Sequence, residues 1–175
     1  INLGGFSSKE FLPNEEKIVI FNNTLRAVKE LKIRFNNYEF LPQTMPPFPW
    51  HQGGRSYHNL MVQGENIQDM IEQSNLNICF DVSHTSMSCN FHSEDFYKII
   101  KKLGDKIKHI HLSDARGNSE EGLEVGDGSI DFKEFHKSIM NDGNKKFLLP
   151  EIWQGHLSYG FKFATSLIRF SGLIN

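Results

Sequence analysis

Cysteine is scarce in this sequence, with two among 175 residues, and neither sign of charge dominates it. Cys79 and Cys89 cannot build a disulfide framework and their spacing fits no zinc motif, so we expect reduced thiols in a cytoplasmic protein. The 19 basic and 21 acidic residues nearly cancel, which leaves no broad positive surface for a nucleic-acid backbone. No apolar run approaches the roughly 18 residues that span a membrane. We therefore expect neither a nucleic-acid nor a membrane partner.

The sequence also lacks an initiator methionine and a charged segment ahead of an apolar stretch, since it begins Ile1-Asn2-Leu3. We expect no signal peptide and predict that the chain is a piece of a longer protein. Its hydrophobic fraction of 38%, with 15 Phe, is typical of a folded protein. We predict one domain, residues 1–175, because this length can enclose a core.

Short β-rich runs alternate with segments of helical periodicity along the chain. The predicted strands are Ile33–Phe40, Asn77–Val82, Ile107–Leu112 and Lys146–Ile152. The predicted helices begin near Asn14, Asn66, Ser93, Asp131 and Gly160. This α/β alternation implies parallel strands with right-handed crossovers. With a strand stub in the first few residues, the count is four to five units, whereas a closed barrel needs eight strands. Three explanations fit this shortfall of strands: an N-terminal segment is missing, the sheet is open, or a partner chain completes the barrel.

Each predicted strand carries a residue that can bind a metal ion near its end. These residues are Glu39, Asp81, His111 and Glu151, each about one strand–helix unit from the next. Parallel strands joined in this way point their carboxyl ends to one side, where α/β folds bind ligands. Alternation along the third strand sends His109 to the same face as His111, so we add His109 as a candidate substrate contact. The sequence therefore predicts a site at one mouth of the sheet.

Three carboxylates and one imidazole form a hard ligand set without thiolate. Such a set favours Mn²⁺, Mg²⁺ or Co²⁺, with Zn²⁺ as an alternative, and leaves coordination positions for substrate oxygens. A cation that holds a substrate carbonyl would acidify the neighbouring C–H bond. The ligand set thus predicts Lewis-acid chemistry on a small oxygen-rich substrate.

Five ordered motifs resemble the xylose-isomerase-like barrel superfamily of sugar isomerases, ketose 3-epimerases and endonuclease IV. The motifs are Glu39-Phe40-Leu41-Pro42, Asp81-x-x-His84, the run 109–114 (HIHLSD), the run 126–132 (GDGSIDF) and Leu149-Pro150-Glu151. The resemblance implies a (β/α)8 TIM barrel of which this chain supplies the C-terminal four to five units. It also implies a small-molecule sugar substrate and a divalent metal.

The resemblance assigns roles residue by residue. It implies that Glu39, Asp81, His111 and Glu151 are metal ligands, and that Glu39 and Glu151 are the two acid/base groups of an isomerase or epimerase. It implies that His84 hydrogen-bonds a substrate oxygen. Arg116 lies about one position from where the epimerases have a substrate-contacting arginine. The resemblance therefore implies a substrate contact for Arg116 by a less exact match.

Two alternative functions accompany the isomerase or epimerase hypothesis. An endonuclease IV-like activity would need an Asp-x-His pair after the third strand, and residues 115–126 (ARGNSEEGLEVG) contain no histidine. The near-neutral charge also argues against it. The other alternative is a non-catalytic sugar-sensing module of a larger carbohydrate-biosynthesis protein.

Aromatic and polar residues around the predicted site are candidates for substrate binding. Trp50 lies in the proline-rich loop 43–60 and could stack on a sugar ring, or it could pack against the rim of the barrel. Trp153 and His156 follow Glu151 and are candidate walls of the site. Gly126-Asp127-Gly128 fits the turn before a capped helix better than a phosphate-binding loop.

Overall fold

A three-stranded parallel sheet lies at the centre of the computed structural model, which describes residues 1–51, 54–140 and 143–174. Its strands are β5 (Ile78–Asp81), β6 (Ile107–Leu112) and β9 (Phe147–Pro150), in the order β5-β6-β9. Six helices accompany the sheet in the described ranges: α1 (Asn14–Arg34), α2 (Gly64–Ser74), α3 (Val82–His92), α4 (Phe96–Leu103), α5 (Phe132–Met140) and α6 (Phe161–Ile174). The predicted α/β order is therefore confirmed.

Three short antiparallel strand pairs accompany this sheet in the described residues. The N-terminal β1 (Phe6–Ser7) pairs with β4 (Tyr57–His58), and β2 (Trp50–His51) pairs with β3 (Gly54–Arg55). The hairpin of β7 (Asp114–Arg116) and β8 (Glu120–Leu123) follows β6 directly. Because β6 ends at the mouth of the sheet, this hairpin stands beside the predicted site.

The strand predicted at Ile33–Phe40 is wrong, because α1 continues to Arg34 and no strand follows it before Gln43. Gln43 instead forms a parallel bridge with Cys79 of β5. Cys79 N–H donates to the Pro42 carbonyl, 2.9 Å, and Thr44 N–H donates to the Cys79 carbonyl, 3.1 Å. The segment around Gln43 therefore holds the fourth strand position beside β5.

A second difference concerns the helix predicted from Ser93. The chain forms α3 directly after β5, and Ser93 is its left-handed C-cap with φ of 57°. The helix α4 begins after Asp95, whose carboxylate accepts from Lys98 N–H at 3.0 Å. Sequence periodicity did not predict α3, because its three serines and one threonine are buried and no apolar stripe marks the helix.

The core lies between the sheet and the helices that cover its outer face. It includes Ile78 and Phe80 of β5, Ile110 and Leu112 of β6, and Phe135 of α5. Strand alternation turns these residues away from the mouth-lining side chains of the same strands. Among the described residues, no helix is both long and apolar enough to cross a membrane.

The inner face and one edge of the sheet carry exposed apolar side chains. Phe147 is 76% exposed, and Leu148 and Leu149 are also exposed on β9. In a closed barrel, such inward-facing positions are packed in layers and each edge strand has a neighbour. The described residues thus form part of a barrel, with β9 at its open edge.

The turn after the β7–β8 hairpin is organised by a buried carboxylate. Asp114 accepts four backbone hydrogen bonds, from the N–H groups of Ala115, Gly126, Gly128 and Ile130 at 2.8–3.2 Å. A Cβ added at Gly128 would overlap the Asp114 carboxylate. The N–H groups at Gly126 and Gly128 are therefore occupied within the chain, as expected for a turn, and Asp131 then caps α5.

Replacing Asp114 with Ala should lower the free energy of unfolding by about 3 kcal/mol, because buried backbone donors would lose their acceptor. Urea unfolding followed by circular dichroism measures the change. Asp105→Ala, at an exposed position of the same charge, should change the free energy of unfolding by less than about 0.5 kcal/mol. Equal effects of the two substitutions would contradict the proposed role of Asp114.

Candidate metal and substrate site

Strand register brings the candidate ligands to one level of the sheet. Asp81 pairs with His111 across β5 and β6, and His111 pairs with Leu149 across β6 and β9. Paired residues of parallel strands share a face, so Asp81 and His111 both point to the inner face. Glu151 lies two residues beyond Leu149 and therefore reaches the same face, held by a hydrogen bond from its N–H to the Leu112 carbonyl, 3.0 Å.

Three of the predicted metal ligands converge at this level. One ligand atom each from Asp81, His111 and Glu151 lies within 4.8 Å of the other two. His111 Nδ1 is 2.6 Å from Glu151 Oε2 and 3.6 Å from Asp81 Oδ2. Asp81 is 1% exposed, whereas Glu151 is 54% exposed. The cluster therefore has a buried side and an open side.

A glutamine completes this cluster. Gln43 Nε2 lies 3.0 Å from Asp81 Oδ2 and 3.2 Å from His111 Nδ1. The amide nitrogen and oxygen can exchange places by rotation, so Gln43 can present its oxygen to a cation in the same place. An amide carries no charge, which leaves two carboxylates rather than three among the four groups.

Thr44 explains why Gln43 reaches the cluster. Its Oγ1 accepts from Asp81 N–H at 2.8 Å and from Thr85 Oγ1 at 2.8 Å. Thr44 is fully buried, so these contacts exclude water and tie the segment to the end of β5. The neighbouring residue Gln43, on the opposite side of the extended chain, consequently faces Asp81.

The charges of the cluster stabilise one another. Burial opposes ionisation of Asp81, but the neighbouring His84 and a hydrogen bond with His111 lower its pKa to about 2. Burial opposes the charge of His111, but hydrogen bonds, with that to Asp81 the largest, raise its pKa to about 12. The protonated imidazole of His111 therefore balances carboxylate charge within the cluster.

His84 connects the cluster to the β7–β8 hairpin. Its Nδ1 is 3.2 Å from Asp81 Oδ2, and its Nε2 is 3.3 Å from Glu121 Oε2. Burial lowers the pKa of His84, but Asp81 and Glu121 together raise it to about 9. His84 therefore lies between two carboxylates, one at the cluster and one on the hairpin.

A cavity of about 370 Å³ opens beside these groups. Eleven residues line it: Asp81, Ser83, His84, Ser113, Glu121, Gly122, Glu151, Ile152, Trp153, Gln154 and His156. This volume is within the range of small-molecule sites. Carboxylates, imidazoles and hydroxyls in its wall suit a ligand that carries several hydroxyl groups.

The structure does not bring Glu39 to the site. Glu39 is exposed, and its Oε1 accepts from Asn77 Nδ2 at 2.5 Å. The predicted ligand position was wrong because the strand lies four residues further along the chain, where Gln43 stands. The assignments of Glu39 as a metal ligand and as an acid/base group consequently lose their structural basis.

Two other candidates lie outside the cavity. Arg116 is held on the hairpin by Glu120, 3.1 Å, and by the Asp127 carbonyl. His109 lies one layer below His111, with the two ring centres 5.1 Å apart, and burial lowers its pKa. Neither residue lines the cavity, so direct contact with a ligand there requires movement of the side chain.

The aromatic candidates divide into two groups. Trp153 and His156 line the cavity as predicted, and Trp153 is 63% exposed at its rim. The side chain of Trp50 lies outside what the structure describes, so its role stays a prediction. The sequence pattern did not predict Gln43 or Glu121 as site residues, because Gln43 follows the expected strand and Glu121 is one of several acidic residues in a loop.

Comparison with known proteins agrees with this geometry. The sequence pattern of the xylose isomerase-like TIM barrel family matches residues 2–166. The chain belongs to this family. Its fold is accordingly the xylose isomerase-like TIM barrel, with four parallel strand positions described here.

Curated relatives resemble part of the chain. An uncharacterized protein of Methanocaldococcus jannaschii is 33% identical over 84 residues, which are 48% of this chain and 31% of that protein. Inosose dehydratase of Clostridium perfringens is 25% identical over 107 residues, 51% of this chain and 35% of that protein. The chain thus spans about a third of the length of these relatives.

Solved structures share the fold at low sequence identity. An L-ribulose 3-epimerase matches with a TM-score of 0.66 and 17% identity, over 97% of this chain and 58% of that one. The IolI protein with a bound zinc atom matches with a TM-score of 0.69 and 13% identity, over 95% and 59%. These likenesses show that the fold is shared.

The donor atoms present fit a divalent cation. Two carboxylates and an imidazole with adjacent ligand atoms match the hard ligand sets of Mn²⁺, Co²⁺ and Zn²⁺ sites, and the Gln43 amide supplies a fourth donor. The exposed side of Glu151 leaves room for ligand oxygens. The residues of this chain could therefore hold one cation without rearrangement of the backbone.

Replacing Gln43 with Glu should tighten Mn²⁺ binding by about tenfold, because a third carboxylate joins the cluster. Isothermal titration calorimetry measures the dissociation constant. Gln63→Glu, at an exposed position outside the cluster, adds the same charge and should leave Mn²⁺ affinity unchanged. Unchanged affinity in Gln43→Glu would show that residue 43 does not face the cation.

Proposed function

We propose that this chain carries the site of a divalent-metal-dependent sugar isomerase or epimerase that works by carboxylate-mediated proton transfer. The observation that carries the proposal is the convergence of Asp81, His111 and Glu151 beside a cavity lined by polar groups. Family membership supports sugar chemistry, since the solved neighbours include epimerases of D-tagatose, L-ribulose and D-psicose type. The substrate we propose is a ketose or a related hydroxy ketone.

Asp81 and His111 are suited to hold the cation, and Gln43 to complete its ligands. A bound divalent cation would polarise a substrate carbonyl and so acidify the carbon next to it. Glu151 is suited to remove that proton, because its carboxylate lies at the cluster and is exposed to the cavity. Trp153, exposed at the rim, can cover an apolar face of the sugar.

His84 is suited to orient the ligand. Its ring lies between Asp81 and Glu121, and it lines the cavity. An imidazole held on both sides has a defined direction, so it can donate a hydrogen bond to a substrate oxygen that displaces one of these contacts. We propose this role for His84, and we propose Glu151 and Asp81 as the residues on which activity depends most.

The structure contains one feature that favours the sugar-sensing alternative. The position where the resemblance implied a first acid/base glutamate is held by Gln43, whose amide has no ionisable group that could serve as a general acid or base. A module that only binds a sugar would need the cation and the cavity but no pair of bases. Turnover separates the two functions, because a sensor binds sugar without exchange of carbon-bound hydrogen.

Mutation of Asp81 and solvent exchange test the proposed function together. The full chain with Mn²⁺ should introduce deuterium from D2O at the carbon next to the carbonyl of D-fructose, D-psicose, D-tagatose or L-ribulose, as measured by NMR. Asp81→Ala should lower Mn²⁺ affinity at least 100-fold and abolish exchange, because a buried ligand is lost. Asp105→Ala is the matched control and should behave as wild type.

Three outcomes would contradict the proposal. Full Mn²⁺ content in Asp81→Ala, measured by atomic absorption after gel filtration, would show that the cation does not bind at the proposed site. Binding of these sugars by the wild type without any exchange would favour the sensor, and product formed without solvent deuterium would indicate hydride transfer instead of proton transfer.

The open edge at β9 leads to a proposal about partners. Phe147 and Leu149 face the inner side of the sheet and are exposed, which is costly for apolar strand residues. We propose that further strand–helix units complete the barrel over this face, from the rest of a longer polypeptide or from a second copy of the chain. We also propose a cytoplasmic location, which cell fractionation would test.

The 175-residue chain on its own should therefore either self-associate or bind a hydrophobic dye strongly. Sedimentation velocity measures the mass against the monomer value of 20.2 kDa, and ANS fluorescence measures exposed apolar surface. The substitution Phe147→Lys should reduce either response. A monomer that binds no dye would contradict the proposal.

A further inference from the structure

An epimerisation by proton transfer needs two acid/base groups, one on each face of the reacting carbon. Glu151 can serve as one of them. The resemblance implied Glu39 as the other, but Glu39 lies outside the cavity and Gln43 stands in its place. The described residues must therefore supply the second group from elsewhere if the chain inverts a carbon centre.

Glu121 is a second carboxylate at the wall of the cavity. It lines the same cavity as Glu151, and its side chain is 29% exposed. Its Oε2 is buried against His84 Nε2, 3.3 Å away. Because the side chain nevertheless remains partly exposed and lines the cavity, its carboxylate is within reach of a ligand there.

The two glutamates stand at opposite ends of one row of side chains. From one end, Glu151 contacts His111, which neighbours Asp81. From the other end, Glu121 contacts His84, which also neighbours Asp81. Both ends of the row reach the cavity. A substrate held above Asp81 would therefore have one carboxylate on each side.

The hairpin that carries Glu121 is hydrogen-bonded to the segment that carries Glu151. Trp153 N–H donates to the Gly122 carbonyl at 2.7 Å. Gly122 has φ of 66°, and a Cβ there would come within 3.1 Å of Trp153 N. This close backbone contact at a positive φ favours glycine, and it joins the two segments that carry the carboxylates.

Other acidic residues of the same hairpin are engaged elsewhere. Glu120 pairs with Arg116 at 3.1 Å on the exposed side. Glu124 lies 3.9 Å from Arg169 of α6. Of the described carboxylates on this hairpin, Glu121 is the one that lines the cavity.

We infer that Glu121 is the second acid/base group, facing Glu151 across the substrate, an inference that rests on the proposed function. In one direction, the Glu151 carboxylate takes the proton from the carbon next to the carbonyl, and the C–H electron pair forms the enediolate. The carboxylic acid of Glu121 then gives its proton to the opposite face of that carbon. One proton leaves and one arrives; in the reverse direction, the two glutamates exchange roles, and water restores their protons between turnovers.

Isotope exchange from both members of an epimer pair tests this inference. D-fructose and D-psicose differ in configuration at C3, and each would present its C3 proton to a different glutamate. The full chain with Mn²⁺ is incubated with each sugar in D2O, and NMR measures deuterium entry at C3. Glu121→Gln should lose exchange at least 100-fold from one epimer and keep it within about threefold from the other.

Glu120→Gln is the matched control, because it removes the same charge one residue away without changing the cavity wall. It should exchange both sugars as the wild type does. Mn²⁺ affinity of Glu121→Gln, measured by electron paramagnetic resonance, should stay within about threefold of wild type, since Glu121 is not among the cation-binding groups. This measurement separates loss of an acid/base group from loss of the folded site.

The outcomes separate this inference from the proposed function. Wild-type exchange combined with near-normal exchange of both epimers by Glu121→Gln would overturn the role of Glu121 alone. Equal loss from both epimers, with Mn²⁺ affinity retained, would also overturn it, because a general binding role has no facial preference. Absence of exchange by the wild type with every sugar tested would overturn the proposed function, and the role of Glu121 with it.

Discussion

The buried carboxylate of Asp81 is the interaction on which the site depends. Its Oδ1 accepts from His84 N–H and from Ser83 Oγ, both at 3.0 Å, and thereby begins α3. Its Oδ2 faces Gln43, His84 and His111. One side chain therefore joins the end of a strand, the start of a helix and the cluster of candidate ligands. A charge buried to this degree is tolerated because every neighbour is a donor.

The same arrangement explains how one parallel sheet can support a catalytic site. Parallel strands deliver side chains to one mouth, and the register between β5, β6 and β9 sets their level. Variation then enters through the segments that follow the strands. Here the β7–β8 hairpin brings Glu121 over the mouth, and the segment after β9 brings Trp153. An amide at Gln43 reduces the negative charge that a cation would meet.

The elements that the sequence predicted correctly carry a local or repeated pattern. The strand at Ile107–Leu112 alternates histidine and apolar side chains from residue 109 onwards, and its bounds were predicted correctly. Asp131 was correctly predicted as a helix cap, because capping uses neighbouring residues. The helix α3 was missed since its polar side chains are buried by contacts with distant segments, which no local pattern reports.

Composition and order of residues alone determined the α/β alternation, the family and three members of the central cluster, Asp81, His111 and Glu151. These follow from strand ends, which hydrophobic runs mark directly in the sequence. Tertiary structure alone decided that Gln43, and not Glu39, stands beside Asp81, and that Glu121 reaches the cavity. The reason is that strand pairing depends on hydrogen bonds between remote segments, here Thr44 with Asp81, and a shift of a few residues along the chain replaces one side chain at the mouth with another.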